Sequence, residues 1–578
     1  MKTKKTFIKN LNLIFSKSYL LSLVLIFIFI VISTILESLS ISLVFPIVLS
    51  VINEETNSSY FIFNFLYTHL NFLKIQNKIV FFIILFAFVY LLKIFLLIFF
   101  FWYKNKFAWD VHNDLSSRIY KKYLEQNIDF FKKTNSGKII RDFTTEIPIF
   151  IGNGIIPAIN IIANSFILLG FLIIFLILNF QITLFLTVVI AILSFLFNFS
   201  NKFLLKKLGL TRQVNEALRI LYLNQGINSI KEAKIYGKEK WFLQKFNKYN
   251  QITFDSLRSY DFIRALPRFF LEIVLLIFVV SIVIIFFKKQ SLNELLPFFG
   301  VMLVAFYRAL PILSQLIVSF QSLNFSKSAY QLILNSLSLK SIHEISDRNY
   351  VPLEFKKSIE IKNIKVFYNN PNKIVLNNIS LKISKGDRVG IIGKSGAGKS
   401  TLLDTLMGLI KPNAGTILVD GRSIYKNLRS WQKLIGYVPQ SIYLIDDSIA
   451  KNIAFGENEQ DIDIKNLINC AKDAEILDLI KNLPKKEKSM VGEKGSKLSG
   501  GEKQRIAIAR SLYISPQIII FDEATSALDT QTEKKIVDSI KKLSKNKTVI
   551  IVSHRISSLN ICNKIYEMKN GKIYLNKQ

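Results

Sequence analysis

Gly393-Lys394-Ser395-Gly396-Ala397-Gly398-Lys399-Ser400 follows the apolar run Val389 to Ile392 and leads into the helix-forming Thr401-Leu402-Leu403. Glycines at 393, 396 and 398 let backbone N–H groups come close to a phosphate chain, and the helix behind them aims its positive N-terminal end at the same charge. Lys399 then reaches the terminal phosphates, while the Ser400 hydroxyl suits Mg²⁺. A strand, a phosphate loop and a helix in that order predict an α/β nucleotide-binding domain. Gly393, Ser395, Gly396, Ala397, Gly398, Lys399, Ser400 and Thr401 are its candidate phosphate-binding residues.

Downstream, Ile518-Ile519-Ile520-Phe521-Asp522-Glu523 is apolar on both faces, the pattern of a buried parallel strand. It ends in two carboxylates, at the end where such sheets place their ligands. Asp522 suits Mg²⁺, held directly or through water. Glu523 suits the general base that polarises an attacking water beside the γ-phosphate. Taken alone, the pair is also what a solvated strand end looks like; the neighbouring motifs favour the catalytic reading.

Those neighbours are Tyr437-Val438-Pro439-Gln440, Leu498-Ser499-Gly500-Gly501-Glu502, Ser526-Ala527-Leu528-Asp529 and His554. With the phosphate loop, their order and spacing resemble the nucleotide-binding domain of ATP-binding cassette (ABC) transporters. The resemblance implies ATP and Mg²⁺ as cofactors, and it implies roles residue by residue. Tyr368, eight residues ahead of Leu376, would stack on adenine. Gln440 would touch Mg²⁺ and water and relay to the membrane domain, with Ser400 and Asp522 holding the metal. Glu523 would be the base, and His554 would contact the γ-phosphate. Asp529 would be a further nucleotide-binding residue, and Ser499, Gly500, Gly501 and Glu502 would serve nucleotide bound to a second copy, so the implied working unit is a homodimer with both sites active. Glu502 stands where Gln is commoner in the family.

The first 320 residues are a different material. The chain is 51% hydrophobic with 49 Phe, and its long apolar runs come ahead of the ATP motifs. Runs of about 20 or more apolar residues cross a bilayer as helices. Six fit, over residues 19–47, 78–103, 149–178, 182–204, 265–288 and 293–318. The expected architecture is therefore a multidomain membrane protein: a six-helix all-α transmembrane domain over 1–320, a linker over 321–354, and an α/β P-loop ATP-binding domain with a helical signature subdomain over 355–578. Membrane half first and ATP half fused behind it resembles a type IV ABC exporter half-transporter. In that family short transverse helices couple the halves, and Phe130 to Gly137 and Gly226 to Lys234 resemble the two coupling segments.

Charge orients the chain. Lys2, Lys4, Lys5, Lys9 and Lys17 precede the first span, and basic segments at 104–148 and 205–264 follow the second and fourth. The positive-inside rule places all of them, and the ATP-binding half, in the cytoplasm of a multi-pass membrane protein, and the exporter resemblance implies the bacterial inner membrane. The N-terminal apolar stretch is too long, and lacks the small-residue pattern, for a cleaved signal. A net charge of +34, from 75 Lys+Arg against 41 Asp+Glu, raises the question of nucleic acid. The charge is spread over loops and surface helices without a recognition motif, so anionic lipid headgroups are the expected partner and nucleic acid is not. Cys470 and Cys562 are far apart in the ATP-binding half and indicate neither disulfide nor metal site.

Ionisable side chains within spans are costly and tend to face a cavity. Lys93 in the second span, Arg268 with Glu272 in the fifth and Arg308 in the sixth give three cations to one acid, which suggests a substrate cavity that attracts anions. Two plainer readings compete: Arg268 pairs with Glu272 one turn on, and Lys93 snorkels. The segments Glu37 to Pro46, Leu266 to Glu272 and Ala305 to Pro311 resemble those of bacterial flippases for lipid-linked oligosaccharide in N-glycosylation. That resemblance implies that Lys93, Arg268 and Arg308 attract the pyrophosphate head of a polyprenyl-linked glycan. The alternative is an exporter of another amphipathic cargo such as lipid A, a peptide or a hydrophobic drug. The aromatic-rich stretch 60–73 reads as an interfacial helix or an ordinary cap, and Glu55-Thr56-Asn57-Ser58-Ser59 matches the bacterial N-glycosylation acceptor pattern at Asn57.

Overall fold

The computed structural model describes residues 10, 12–44, 47, 78–178, 180–287, 292–341, 353–367, 374–523, 530–543, 547–553 and 559–576. The expectations at Asn57, at 60–73, at Tyr368, at Ser526 to Asp529 and at His554 lie outside these residues. The chain divides into two compact units, one of Met1–Gln126 and Phe130–Glu344, the other of Asn127–Asp129 and Ile345–Gln578.

The first unit is helical. Its long helices are α1 (Leu20–Ser42), α2 (Lys78–Leu124), α3 (Ile156–Leu178), α4 (Phe180–Asn228), α5 (Glu239–Phe287) and α6 (Leu292–Phe325), followed by the short α7 (Lys327–Leu337). The six expected spans overlap α1 to α6 in turn, the third beginning ahead of α3. Among the described residues, four helical stretches are long and apolar enough to cross a membrane by length and composition: Lys17–Ser42, Val80–Leu124, Ser136–Ile174 and Thr187–Asn228. α2, α4 and α5 have 47, 49 and 49 residues. At 1.5 Å per residue that is roughly 70 Å, more than twice a ~30 Å hydrocarbon core, so these helices run well beyond the bilayer.

Sequence and burial change together along α2. In the apolar stretch Phe88, Leu91, Phe95 and Ile98 are exposed, a face suited to lipid. Further along α2 Ala108, Val111, Leu115 and Ile119, spaced by three or four, are fully buried. They pack with Ile147, Ile151 and Ile155 and with Ala329 and Ile333 of α7, in an apolar core that continues to Ile26 and Ile30 of α1 and Ile159 and Ala163 of α3. Helix continuity from Ser136 to α3 is interrupted by two π-helical turns, Asp142–Glu146 and Ile151–Ile155. Between them and α4 lies a buried ionic group: Glu146 meets Arg212 at 2.9 Å and accepts from Gln213 at 2.8 Å, while Arg141 pairs with Asp142 at 2.6 Å. Gly209 brings α4 against α6 so closely that a Cβ there would collide with the Phe325 carbonyl oxygen.

The second unit holds two sheets. β1 (Ser358–Phe367), β2 (Ile374–Ser384), β4 (Ala414–Val419) and β5 (Arg422–Ser423) form an antiparallel sheet in the order β2-β1-β4-β5. The other sheet runs β10-β9-β3-β8-β7-β6, from β3 (Arg388–Ile392), β6 (Ile435–Val438), β7 (Ile518–Asp522), β8 (Thr548–Val552), β9 (Lys564–Lys569) and β10 (Lys572–Asn576). Its strands are parallel except β10. β7 and β8 are buried at every position, which is why their sequences are apolar without alternation. The register Val389↔Ile550, Ile520↔Ile550 and Tyr437↔Ile520 aligns the carboxyl ends of β3, β8, β7 and β6 in one row. Helix α8 (Lys399–Leu406) follows the phosphate loop, and α9 (Gly500–Tyr513) carries the signature motif on a separate apolar core with Ile449, Ile453, Leu467 and Ile506.

Candidate nucleotide site and intramembrane charged cluster

The loop between β3 and α8 is held in a conformation that needs its glycines. Gly393 has φ +150° and a Cβ there would lie 2.5 Å from the Met568 carbonyl oxygen; Gly398, the residue before α8, has φ +103°. Lys399 folds back over this loop and donates to the Gly393 and Lys394 carbonyls at 2.7 and 3.2 Å. Its ammonium is thereby stationed inside the loop that phosphates would fill, with Ser395, Gly396, Ala397, Ser400 and Thr401 around it in sequence.

At the neighbouring strand ends, Asp522 is almost fully buried and accepts from the Tyr437 hydroxyl at 3.4 Å. Burial pushes its carboxyl above the ordinary range, the adjacent Glu523 and Asp404 push the same way, and Tyr437 and Lys399 oppose them. A desolvated carboxylate beside two other acids is a position that a cation would relieve. Among the described residues no cluster of three or more His, Cys, Asp or Glu could hold a metal alone. A single buried carboxylate with hydroxyl and amide oxygens fits Mg²⁺, which takes few protein ligands and completes its shell with phosphate oxygens and water. Ser400, Asp522 and Gln440 are the residues that would hold it.

Glu523 stands one residue past β7 with φ +50°, and its backbone N–H donates to the Val552 carbonyl at 2.9 Å. The Gln440 side-chain amide donates to Glu523 Oε2 at 2.8 Å. Lys399, Gln440, Asp522 and Glu523 thus converge at the carboxyl ends of the parallel strands.

The signature motif is built as a helix start. Ser499 caps α9: its hydroxyl accepts from the Glu502 N–H at 3.3 Å, and Glu502 Oε2 accepts from the Ser499 N–H at 2.7 Å. This reciprocal capping box accepts Glu or Gln equally, and a carboxylate in the first turn also suits the helix dipole. Glu502 where Gln is commoner therefore costs the helix nothing. Among the described residues Ser499 and Glu502 hydrogen-bond to each other and not to the phosphate loop. Glu502→Gln is expected to leave ATP turnover within about twofold of wild type, whereas Glu502→Ala removes a cap interaction worth about 1 kcal/mol and lowers turnover; steady-state phosphate release distinguishes the two.

Arg510 and Asn452 were not legible from motifs, yet they tie α9 to the segment after Gln440. Arg510 donates to the Asn452 backbone carbonyl at 2.7 Å, to Tyr443 at 3.0 Å and to Asn452 Oδ1 at 3.1 Å. Asn452, fully buried, in turn brackets Ile445 through both its side-chain atoms. Desolvation lowers the Arg510 pKa to about 10, which still leaves it cationic at neutral pH.

Within the helical unit, Lys93 and Arg308 come together on Tyr90. Arg308 donates to the Tyr90 hydroxyl at 3.0 Å, and Lys93 lies 4.3 Å from the centre of the same ring. Lys93 also pairs with Glu37 of α1 at 3.0 Å. Beside Glu272, Glu37 is a second acid among the span cations, and its place inside the first apolar run is the sequence signal for it. Arg268 is elsewhere. It pairs with Glu272 at 3.0 Å on an exposed face of α5, the plainer of the two alternatives.

The ABC transporter family model matches residues 376–526, and the model for the ABC transporter transmembrane region matches residues 23–293. An export ATP-binding/permease protein of Rickettsia bellii is 31% identical over 488 residues, 81% of this chain and 81% of that protein. The alpha-hemolysin translocation ATP-binding protein HlyB of Escherichia coli is 40% identical over 262 residues, which is 45% of this chain and 36% of HlyB. A bacterial Atm1-family ABC exporter solved with ATP bound has the same fold, with a TM-score of 0.80 at 21% identity over 97% of this chain and 95% of that one. The chain belongs to the ABC transporter family, as an exporter-type member with fused transmembrane and ATP-binding domains and a type IV-like fold.

Proposed function

We propose that this chain is an ATP-driven flippase of the bacterial inner membrane that moves a polyprenyl-pyrophosphate-linked oligosaccharide from the cytoplasmic to the outer leaflet, as the resemblance to the flippase PglK implies. It works as a homodimer with Mg²⁺-ATP held between one copy's phosphate loop and the other's Ser499 to Glu502. Gly500 and Gly501 offer backbone N–H groups there, and Asp529, Tyr368 and His554 complete the site on the family pattern. Glu523 serves as base, with Gln440 orienting it. The observation that carries the cargo assignment is the meeting of Lys93 and Arg308 on one tyrosine inside the helical unit, a concentration of positive charge where charge is costly.

The second reading, export of another amphipathic cargo, is favoured by the Lys93–Glu37 pair, which removes one of the cations from play. It also agrees with two relatives, an alpha-hemolysin translocation protein and a leukotoxin export protein. Reconstituted vesicles separate the readings. Replacing Lys93, Arg268 and Arg308 together with Ala is expected to abolish movement of a pyrophosphate-linked glycolipid, read as its accessibility at the outer leaflet. Unchanged movement would rule out this headgroup path, and a wild-type protein that moves no glycolipid would leave the second reading.

A further inference from the structure

Glu37 of α1, Tyr90 and Lys93 of α2 and Arg308 of α6 form one charged cluster inside the helical unit. Lys93 and Glu37 are 3% and 8% exposed and neutralise each other across 3.0 Å. Arg308 stands 5.1 Å from the Tyr90 ring, donates to its hydroxyl, and among the described residues contacts no carboxylate. α3, which packs against α1, contains no ionisable residue from Ile156 to Leu178. The cluster therefore carries two positive charges and one negative.

We propose that Glu37 sets the charge requirement of the cargo site. In the empty site it occupies Lys93, so one net positive charge remains, presented by Arg308. A headgroup with one negative charge is met by that residue alone; a headgroup with two must take Lys93 away from Glu37. The inference rests on the anionic-lipid reading above and adds to it a residue that selects among anionic lipids by charge.

At low effective dielectric, opposite charges in contact outweigh more distant ones, so a carboxylate already touching Lys93 cancels that cation for any ligand that leaves the pair intact. Lysine suits such an exchange. Its compact ammonium passes from one oxygen to another without the planar, two-point geometry a guanidinium demands. Once displaced, Glu37 has lost its partner, and it penalises a headgroup in proportion to the negative charge brought in.

Glu37→Gln keeps the shape, removes the competing charge and leaves both cations to the ligand. The full-length protein in lipid nanodiscs would be titrated with undecaprenyl phosphate-glucose, which carries one negative charge, and undecaprenyl pyrophosphate-N-acetylglucosamine, which carries two, with ATP turnover as the readout. Because charge interaction scales with ligand charge, Glu37→Gln is expected to lower the half-stimulating concentration of the pyrophosphate lipid about tenfold and that of the phosphate lipid about threefold. Glu37→Gln with Lys93→Met restores the resting net charge without leaving a buried ammonium unpaired; it should return the phosphate lipid to within about twofold of wild type and leave the pyrophosphate lipid, deprived of the cation it recruits, about threefold or more above its wild-type value. This double variant also serves if the single one does not fold. Stimulation of the wild type by both lipids, with no change or a rise on Glu37→Gln, would overturn the role of Glu37 alone. So would complete loss of stimulation in the double variant, which would make Lys93 indispensable even to the singly charged lipid. If neither lipid stimulates any form, the anionic-lipid reading and this inference fall together.

Discussion

Glu523→Gln is expected to lower ATP turnover by about 10²–10⁴-fold, the usual contribution of a general base, while the protein still takes up ATP. Glu523 is placed by backbone geometry rather than by chance of side-chain reach. It follows directly on a strand buried at every position, adopts φ +50°, and is anchored through its N–H to Val552 on the neighbouring strand. Gln440 then holds one carboxylate oxygen at 2.8 Å. The amide of the variant can keep that contact through its oxygen, so folding and nucleotide binding should survive and only proton acceptance is lost. Single-turnover phosphate release, measured beside ATP retained per chain, reads both effects. A variant that hydrolyses at the wild-type rate would move the base to another residue.

Arg212→Ala is expected to be the most destabilising single change in the helical unit. Glu146 is fully buried and meets Arg212 at 2.9 Å, and Arg212 is itself 1% exposed. Removing one partner of a buried pair costs about 3–5 kcal/mol because the other charge is left uncompensated. Gln213 at 2.8 Å and Arg141 at 3.8 Å remain near Glu146, so the lower end, about 3 kcal/mol, is the expected loss. Arg212→Met combined with Glu146→Gln should recover much of it, since Arg141 keeps Asp142 at 2.6 Å and no charge stays buried alone. Thermal unfolding of the detergent-solubilised protein, followed through the α-helical signal, would show a drop of several degrees for the single change and a smaller one for the pair. Equal drops would mean that the pair contributes through packing and not through charge.

The ATP half was legible in detail because its motifs are local. A glycine that must adopt positive φ, a lysine six residues on and a strand ending in Asp522-Glu523 each carry their reason within a few residues, and the parallel register brings those ends together. Glu502 was legible as a departure from the family pattern; its neutrality became clear only from the capping box it forms with Ser499. The helical unit was legible as spans, since length and apolarity suffice for that, but not in where each helix continues past the bilayer. There the apolar spacing of α2 changes from a lipid-facing surface to the buried series Ala108, Val111, Leu115 and Ile119.

The amino-acid order by itself determined that the chain spans a membrane, that a phosphate loop with its acidic strand follows, and that both belong to one family, because runs, spacings and turn residues are properties of neighbours along the chain. Which charges cancel was decided by the tertiary structure alone. Lys93 and Glu37 are 56 residues apart, and Arg268 and Arg308 look alike in sequence; only helix packing sets one cation against an acid, leaves another on a shared tyrosine and turns the third to an exposed face.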